Sequence, residues 1–93
     1  MLEKELIEKY NAGIRDFSKV NLCCACLNGE DLRDANFEGA DLSYANLSHA
    51  LLVNVNFKNA KLRHADFFCA NTDNANFEGA IFAHPITANT FRK

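Results

Sequence analysis

The sequence has no apolar run long enough to cross a membrane and no small-residue cleavage site behind a leader, so nothing in it directs the chain into a bilayer. The expectation is a cytoplasmic protein without membrane contact. It also lacks a nucleophile elbow, a phosphate loop and a paired Glu-x-x-His, the common spacings of catalytic and nucleotide-binding sites. No enzymatic activity and no cofactor are expected. Neither charge sign dominates, with 12 acidic against 10 basic residues and a net charge of -2. A basic stripe interleaved with aromatics is missing, so direct DNA or RNA binding is not expected. Proline occurs once, at Pro85, and nothing before it breaks the chain in that way. Of the four cysteines, Cys23, Cys24 and Cys26 crowd together and Cys69 lies apart; Cys-Cys-Ala-Cys lacks zinc-site spacing and has no second half, which points to free thiols in a reducing compartment.

What the sequence does have is a five-residue beat: Phe17, Leu22, Leu27, Leu32, Phe37, Leu42, Leu47, Leu52, Phe57, Leu62, Phe67, Thr72, Phe77 and Phe82. On a helix, five residues advance a side chain by ~140°, so this set would spiral around the whole surface. On a flat strand, an odd period throws successive members onto opposite faces. Only a backbone that turns a corner every five residues keeps them all pointing inward. Two residues before most of these centres stands Ala, with Val20 and Val55 filling two more sites, and a large group alternating with a small one packs a narrow interior closely. Immediately before ten of the centres stands Asp or Asn (Asp16, Asn21, Asp31, Asn36, Asp41, Asn46, Asn56, Asp66, Asn71 and Asn76). Such side chains bond neighbouring backbone and tolerate turn conformations.

The sequence most resembles its own continuation at a distance of twenty residues: Asn36-Phe37-Glu38-Gly39-Ala40 returns as Asn56-Phe57-Lys58-Asn59-Ala60 and again as Asn76-Phe77-Glu78-Gly79-Ala80. Twenty divided by five gives four sides per coil. Phe17, Phe37, Phe57 and Phe77 should then stack as one column, in an array whose units bury a face only against each other.

These residues resemble the pentapeptide-repeat family, whose motif is a small residue, Asp or Asn, Leu or Phe, then two variable positions, and the resemblance covers residues 15–84. It implies an all-β solenoid, a right-handed four-sided parallel β-helix of about three and a half coils, with the Leu, Phe and Ala positions inside. Some members of the family resemble DNA in shape and charge and bind type II topoisomerases. That makes a DNA mimic one alternative. The outward acids Asp16, Asp31, Asp34, Glu38, Asp41, Asp66, Asp73 and Glu78 are scattered over four sides among Lys19, Arg33, Lys58, Lys61 and Arg63, where a mimic needs a continuous negative face.

An open solenoid end would expose donors, acceptors and apolar centres, so both ends should be covered. Residues 1–12 predict a capping helix, with Leu2, Leu6, Ile7 and Tyr10 at helical spacing and Asn11 and Gly13 at its end. Residues 85–93 form a C-terminal tail in which Ile86 and Phe91 could fold over the last coil or touch another molecule. Arg15 and Glu30 stand where Ala stands elsewhere; a lone charge there is costly, so they should pair or sit at the edge under the helix.

Two outward columns, one of Cys24, Tyr44, His64 and His84 and one of Gly29, His49 and Cys69, would place metal-ligating groups on adjacent coils, so a metal-binding protein is a second alternative. The clearer signal is apolar. Leu51, Val53, Phe68 and Ile81 stand outward where neighbours are polar, and with Phe91 they form the candidate interaction surface. The expected role is a non-enzymatic scaffold or protein-interaction module with a protein partner, self-associating end to end as a homo-oligomer through its C-terminal end.

Overall fold

A chain that aims one side chain inward every five residues has to bend between them, and the backbone of the computed structural model, which describes residues 1–83, bends in the same way each time. One residue bridges to the next coil, the following one turns inward, and two more make a corner. All the bridges are parallel and join residues twenty apart, from Asp16 with Asn36 to Lys61 with Ile81. Each side is too short for a continuous strand. The ladder is still complete: the Phe37 amide donates to the Asn56 carbonyl at 2.7 Å, and the Asn56 amide donates to the Ala35 carbonyl at 3.0 Å.

The four sides are therefore centred on Phe17, Phe37, Phe57 and Phe77 (side one), Leu22, Leu42, Leu62 and Phe82 (side two), Leu27, Leu47 and Phe67 (side three), and Leu32, Leu52 and Thr72 (side four). The side-one rings stack with centroids 5.7, 5.8 and 5.1 Å apart. Every centre from Phe17 to Phe67 is buried, together with Ala25, Ala35, Ala40, Ala45, Ala50, Val55, Ala60 and Ala70. Phe77 and Phe82, in the last half coil, are half-buried and pack against that core.

Corners carry the conformational cost. The second corner residue has φ between 58° and 73° at all thirteen corners from Lys19 to Gly79, as in a type II turn. Only three of the thirteen are glycine, Gly29, Gly39 and Gly79; the remainder include Lys19, Tyr44, His64 and Asn74. A left-handed non-glycine residue costs roughly 1–2 kcal/mol, so the stack above and below must hold each corner in place.

The ten Asp and Asn residues do bond neighbouring backbone: each accepts, through Oδ1, the amide hydrogen two residues ahead at 2.9–3.2 Å. They do not adopt the left-handed conformation themselves. It falls three residues further on, because these residues are the bridging ones and must stay extended for the ladder. Asn36 adds a vertical rung, accepting from Asn56 Nδ2 at 3.2 Å. Asn36→Ala should therefore cost about 1–2 kcal/mol, which a thermal melt would read as a fall of roughly 4–8 °C per kcal/mol.

The helix α1, Glu3–Asn11, seals the N-terminal end. It closes with Gly13 at φ 98°, the Gly13 amide bonded to the Tyr10 carbonyl at 2.9 Å and the Ile14 amide to the Lys9 carbonyl at 3.0 Å, a Schellman arrangement. Leu6 is fully buried in the core, with Met1, Ile7 and Tyr10 packed beside it. Leu2 differs from the expected inward set: it precedes the first turn and is 72% exposed. Backbone groups of the first coil that would otherwise face a missing coil find substitutes. The Cys26 amide donates to a Glu3 carboxylate oxygen at 2.9 Å, the Met1 amine donates to the Asn21 carbonyl at 2.8 Å, and the Tyr10 hydroxyl donates to the Arg33 carbonyl at 2.8 Å.

Candidate interaction surface

Outward apolar residues fall at positions that the coil register fixes, and the register separates them into groups. Phe68 is the first corner residue of side three in the third coil and is 38% exposed. Its ring meets His49, the second corner residue one coil below, edge-on with centroids 5.7 Å apart. Two residues past His49 the chain enters side four through Leu51, which is 39% exposed and bridges to Asn71 above it. Phe68 and Leu51 therefore stand on either side of one corner of the rod, and His49, which the Phe68 ring touches, lies two residues before Leu51. Ile81 is equally exposed but lies on side two above Lys61, opposite Leu51. Phe91 lies outside the described residues, as do His84, Pro85 and Ile86.

Val53 is half-buried and belongs to a different feature, a groove of about 490 Å³ on side four lined by Tyr10, Arg15, Asp31, Arg33, Asp34, Val53 and Asn54. No residue pattern marks this groove, because it depends on Tyr10 of α1 reaching Arg33 of the first coil. Arg33 grips Asp31 with two bonds, Nε to Oδ1 at 2.8 Å and Nη2 to Oδ2 at 2.7 Å. That contact holds the Asp31 carboxyl below the ordinary carboxylate value and pushes Arg33 up. Burial raises the Tyr10 phenol. Arg15 does not pair with Glu30. It lies at the edge beside the helix, its guanidinium 3.7 Å from the Tyr10 ring centre and its Nη1 donating to the Tyr10 carbonyl at 2.8 Å. The inward site is avoided because the first coil lets the side chain escape toward solvent and an aromatic face.

The columns proposed for metal come together only in part. Tyr44 and His64 stack with centroids 4.9 Å apart on adjacent coils, which is an aromatic contact and not a ligand pair. Among the described residues, no group of three or more His, Cys, Asp or Glu side chains is placed to hold a metal ion. All four cysteines are free thiols. No helix among the described residues is long and apolar enough to cross a membrane.

The family profile "Pentapeptide repeats" matches residues 31–68 as eight copies. The chain is similar to the pentapeptide repeat protein alr5209 from Nostoc Pcc 7120, with 35% identity over 85% of this chain and 74% of that one and a TM-score of 0.50. It is also similar to the pentapeptide repeat protein Rfr23 from the cyanobacterium Cyanothece 51142, with 32% identity over 72% of this chain and a TM-score of 0.63. There the match spans 49% of the other chain, about half its length. No curated protein matches significantly, and no enzyme family is indicated. With the period of five, the register of twenty and these likenesses together, the chain belongs to the pentapeptide-repeat family and folds as its right-handed, four-sided β-helix.

Proposed function

We propose that the protein is a non-enzymatic interaction module that presents a rigid four-sided rod to a protein partner, a second copy of itself included. The observation behind this is Phe68 and Leu51, each more than a third exposed on either side of one corner of a frame whose backbone is bonded above and below. An apolar pair that cannot retract is worth most when another surface covers it. Self-association end to end through the C-terminal end is a separate form of the same role, with Ile81 on the last described coil, and it would not depend on Leu51 or Phe68. A duplex mimic acting on a type II topoisomerase has less behind it. Asp16, Asp31, Asp41 and Asp66 engage carboxylate oxygens with turn amides, and Arg33 further neutralises Asp31.

Sedimentation velocity over a hundredfold range of concentration tests this reading. The wild-type chain should shift toward dimer, and Leu51→Ser with Phe68→Ser should weaken association at least tenfold while leaving the melting temperature within a few degrees, as surface changes do. A chain that stays monomeric throughout, and captures no host protein in a way that depends on Leu51 or Phe68, would remove it.

A further inference from the structure

Cysteine is among the residue types most often buried, yet Cys23, Cys24 and Cys26 are all exposed on the first coil at outward positions. Cys23 and Cys24 are the two corner residues that follow Leu22. The corner is closed by the Ala25 amide donating to the Leu22 carbonyl at 3.1 Å, and it is tied to the next coil by the Cys24 amide donating to the Ser43 carbonyl at 2.8 Å. Cys24 holds φ at 66°. Both side chains therefore leave a fixed backbone, and their sulfurs lie 3.6 Å apart, one thiol donating to the other.

A disulfide is a poor outcome for this pair. Neighbouring Cα atoms across a trans peptide are ~3.8 Å apart, short of the roughly 4.4–6.8 Å that a relaxed disulfide spans. Closing the bond would twist a corner that Leu22 and Ser43 hold in place. The thiol contact also raises the Cys23 thiol above its ordinary value, and a protonated thiol is a slow target for oxidants. The two sulfurs are thus adjacent and open to solvent, and the geometry of the corner disfavours a bond between them.

We propose that Cys23 and Cys24 form a dithiol site for a soft, thiophilic species, a trivalent arsenical or a soft divalent metal ion, held between the two sulfurs. Thiolate sulfur selects soft ions over hard ones. With an arsenic(III) oxide, two S–H bonds break, two As–S bonds form and one water leaves with both protons. Arsenic keeps its oxidation state, so no oxidant or reductant takes part. With a divalent metal ion, the two protons go to solvent. Cys69 lies two coils from Cys26 along side three and has no part in the site.

The test uses the reduced full-length chain and phenylarsine oxide, which occupies two thiols at once. One equivalent should lower the thiols reactive toward a disulfide reagent from four to two. Cys23→Ser and Cys24→Ser should each weaken capture by roughly a hundredfold or more, the advantage of a tethered second ligand. Cys26→Ser and Cys69→Ser should leave it intact, with melting temperatures unchanged in all four variants. Cadmium, followed by thiolate absorbance, is the second arm. Capture of either probe that requires both Cys23 and Cys24 sustains the site, and the pattern of the two tells metalloid from metal. Four thiols still reactive after both probes, capture that survives Cys23→Ser, or capture lost in Cys26→Ser would overturn it.

Discussion

Phe57→Ala should lower the stability of the chain by about 3–5 kcal/mol, a large share of the roughly 5–14 kcal/mol available to a domain of this length. Phe57 is fully buried in the middle of the side-one column. Its ring stacks on Phe37 at 5.8 Å and on Phe77 at 5.1 Å and meets Phe67 edge-on at 5.9 Å, so one truncation removes three aromatic contacts. The cavity has no means of collapse. The Phe57 amide is bonded to the Asn76 carbonyl at 2.7 Å, and the neighbouring Asn56 carbonyl accepts from the Phe37 amide on the coil below, so neighbouring coils are held at ladder spacing whatever fills the interior. At roughly 4–8 °C per kcal/mol, the melting temperature should fall by more than about 12 °C. Phe68→Ala, which trims a ring of the same size on the outside, should cost about 1 kcal/mol or less. Equal losses for the two phenylalanines in parallel circular dichroism melts would contradict the inward column.

Leu6→Asp should have an effect of similar size by a different route. Leu6 is fully buried under α1 and joins the same core cluster as Phe17 and Leu22. Replacing it forfeits about 1.5–3 kcal/mol of apolar burial and leaves a carboxylate that must either shed its charge or pull the helix away from the coil. If the helix lifts, Glu3, Tyr10 and the Met1 amine leave their partners at Cys26, Arg33 and Asn21. The variant should therefore melt at least 10 °C lower, at the same few degrees per kcal/mol, and associate through the uncovered coil in sedimentation. Leu2→Asp, four residues earlier and 72% exposed, is the matched control and should behave as wild type. A Leu6→Asp chain as stable and as monomeric as that control would mean the helix does not seal the rod.

The inward set and the twenty-residue register were legible because both are strict periods, and a period survives any local irregularity of composition. The corners were not. Lys19, Tyr44 and Cys24 carry no left-handed preference, and nothing in their chemistry marks them apart from Ser18 or Ser43 beside them; the stack imposes φ near 60° and overrides what each residue would choose alone. The same distinction runs through the surface. Leu51 and Phe68 were visible as apolar residues among polar ones, while the edge contact that links Phe68 to His49 follows from how two rings settle on adjacent coils. Arg15 was visible as a misfit, but its resting place on the Tyr10 ring depends on where α1 lies. The substitutes for the missing first rung are side chains and an amine acting on backbone twenty or more residues away, and a spacing of that kind has no local signature.

The stoppered N-terminal end limits what kind of assembly this chain can build. Head-to-tail filaments need two complementary ends per subunit, and here one of them is already occupied by α1, its buried leucine and its borrowed hydrogen bonds. If copies join through the opposite end, as proposed, each can do so only once, related by a twofold axis, so that this contact by itself makes a pair.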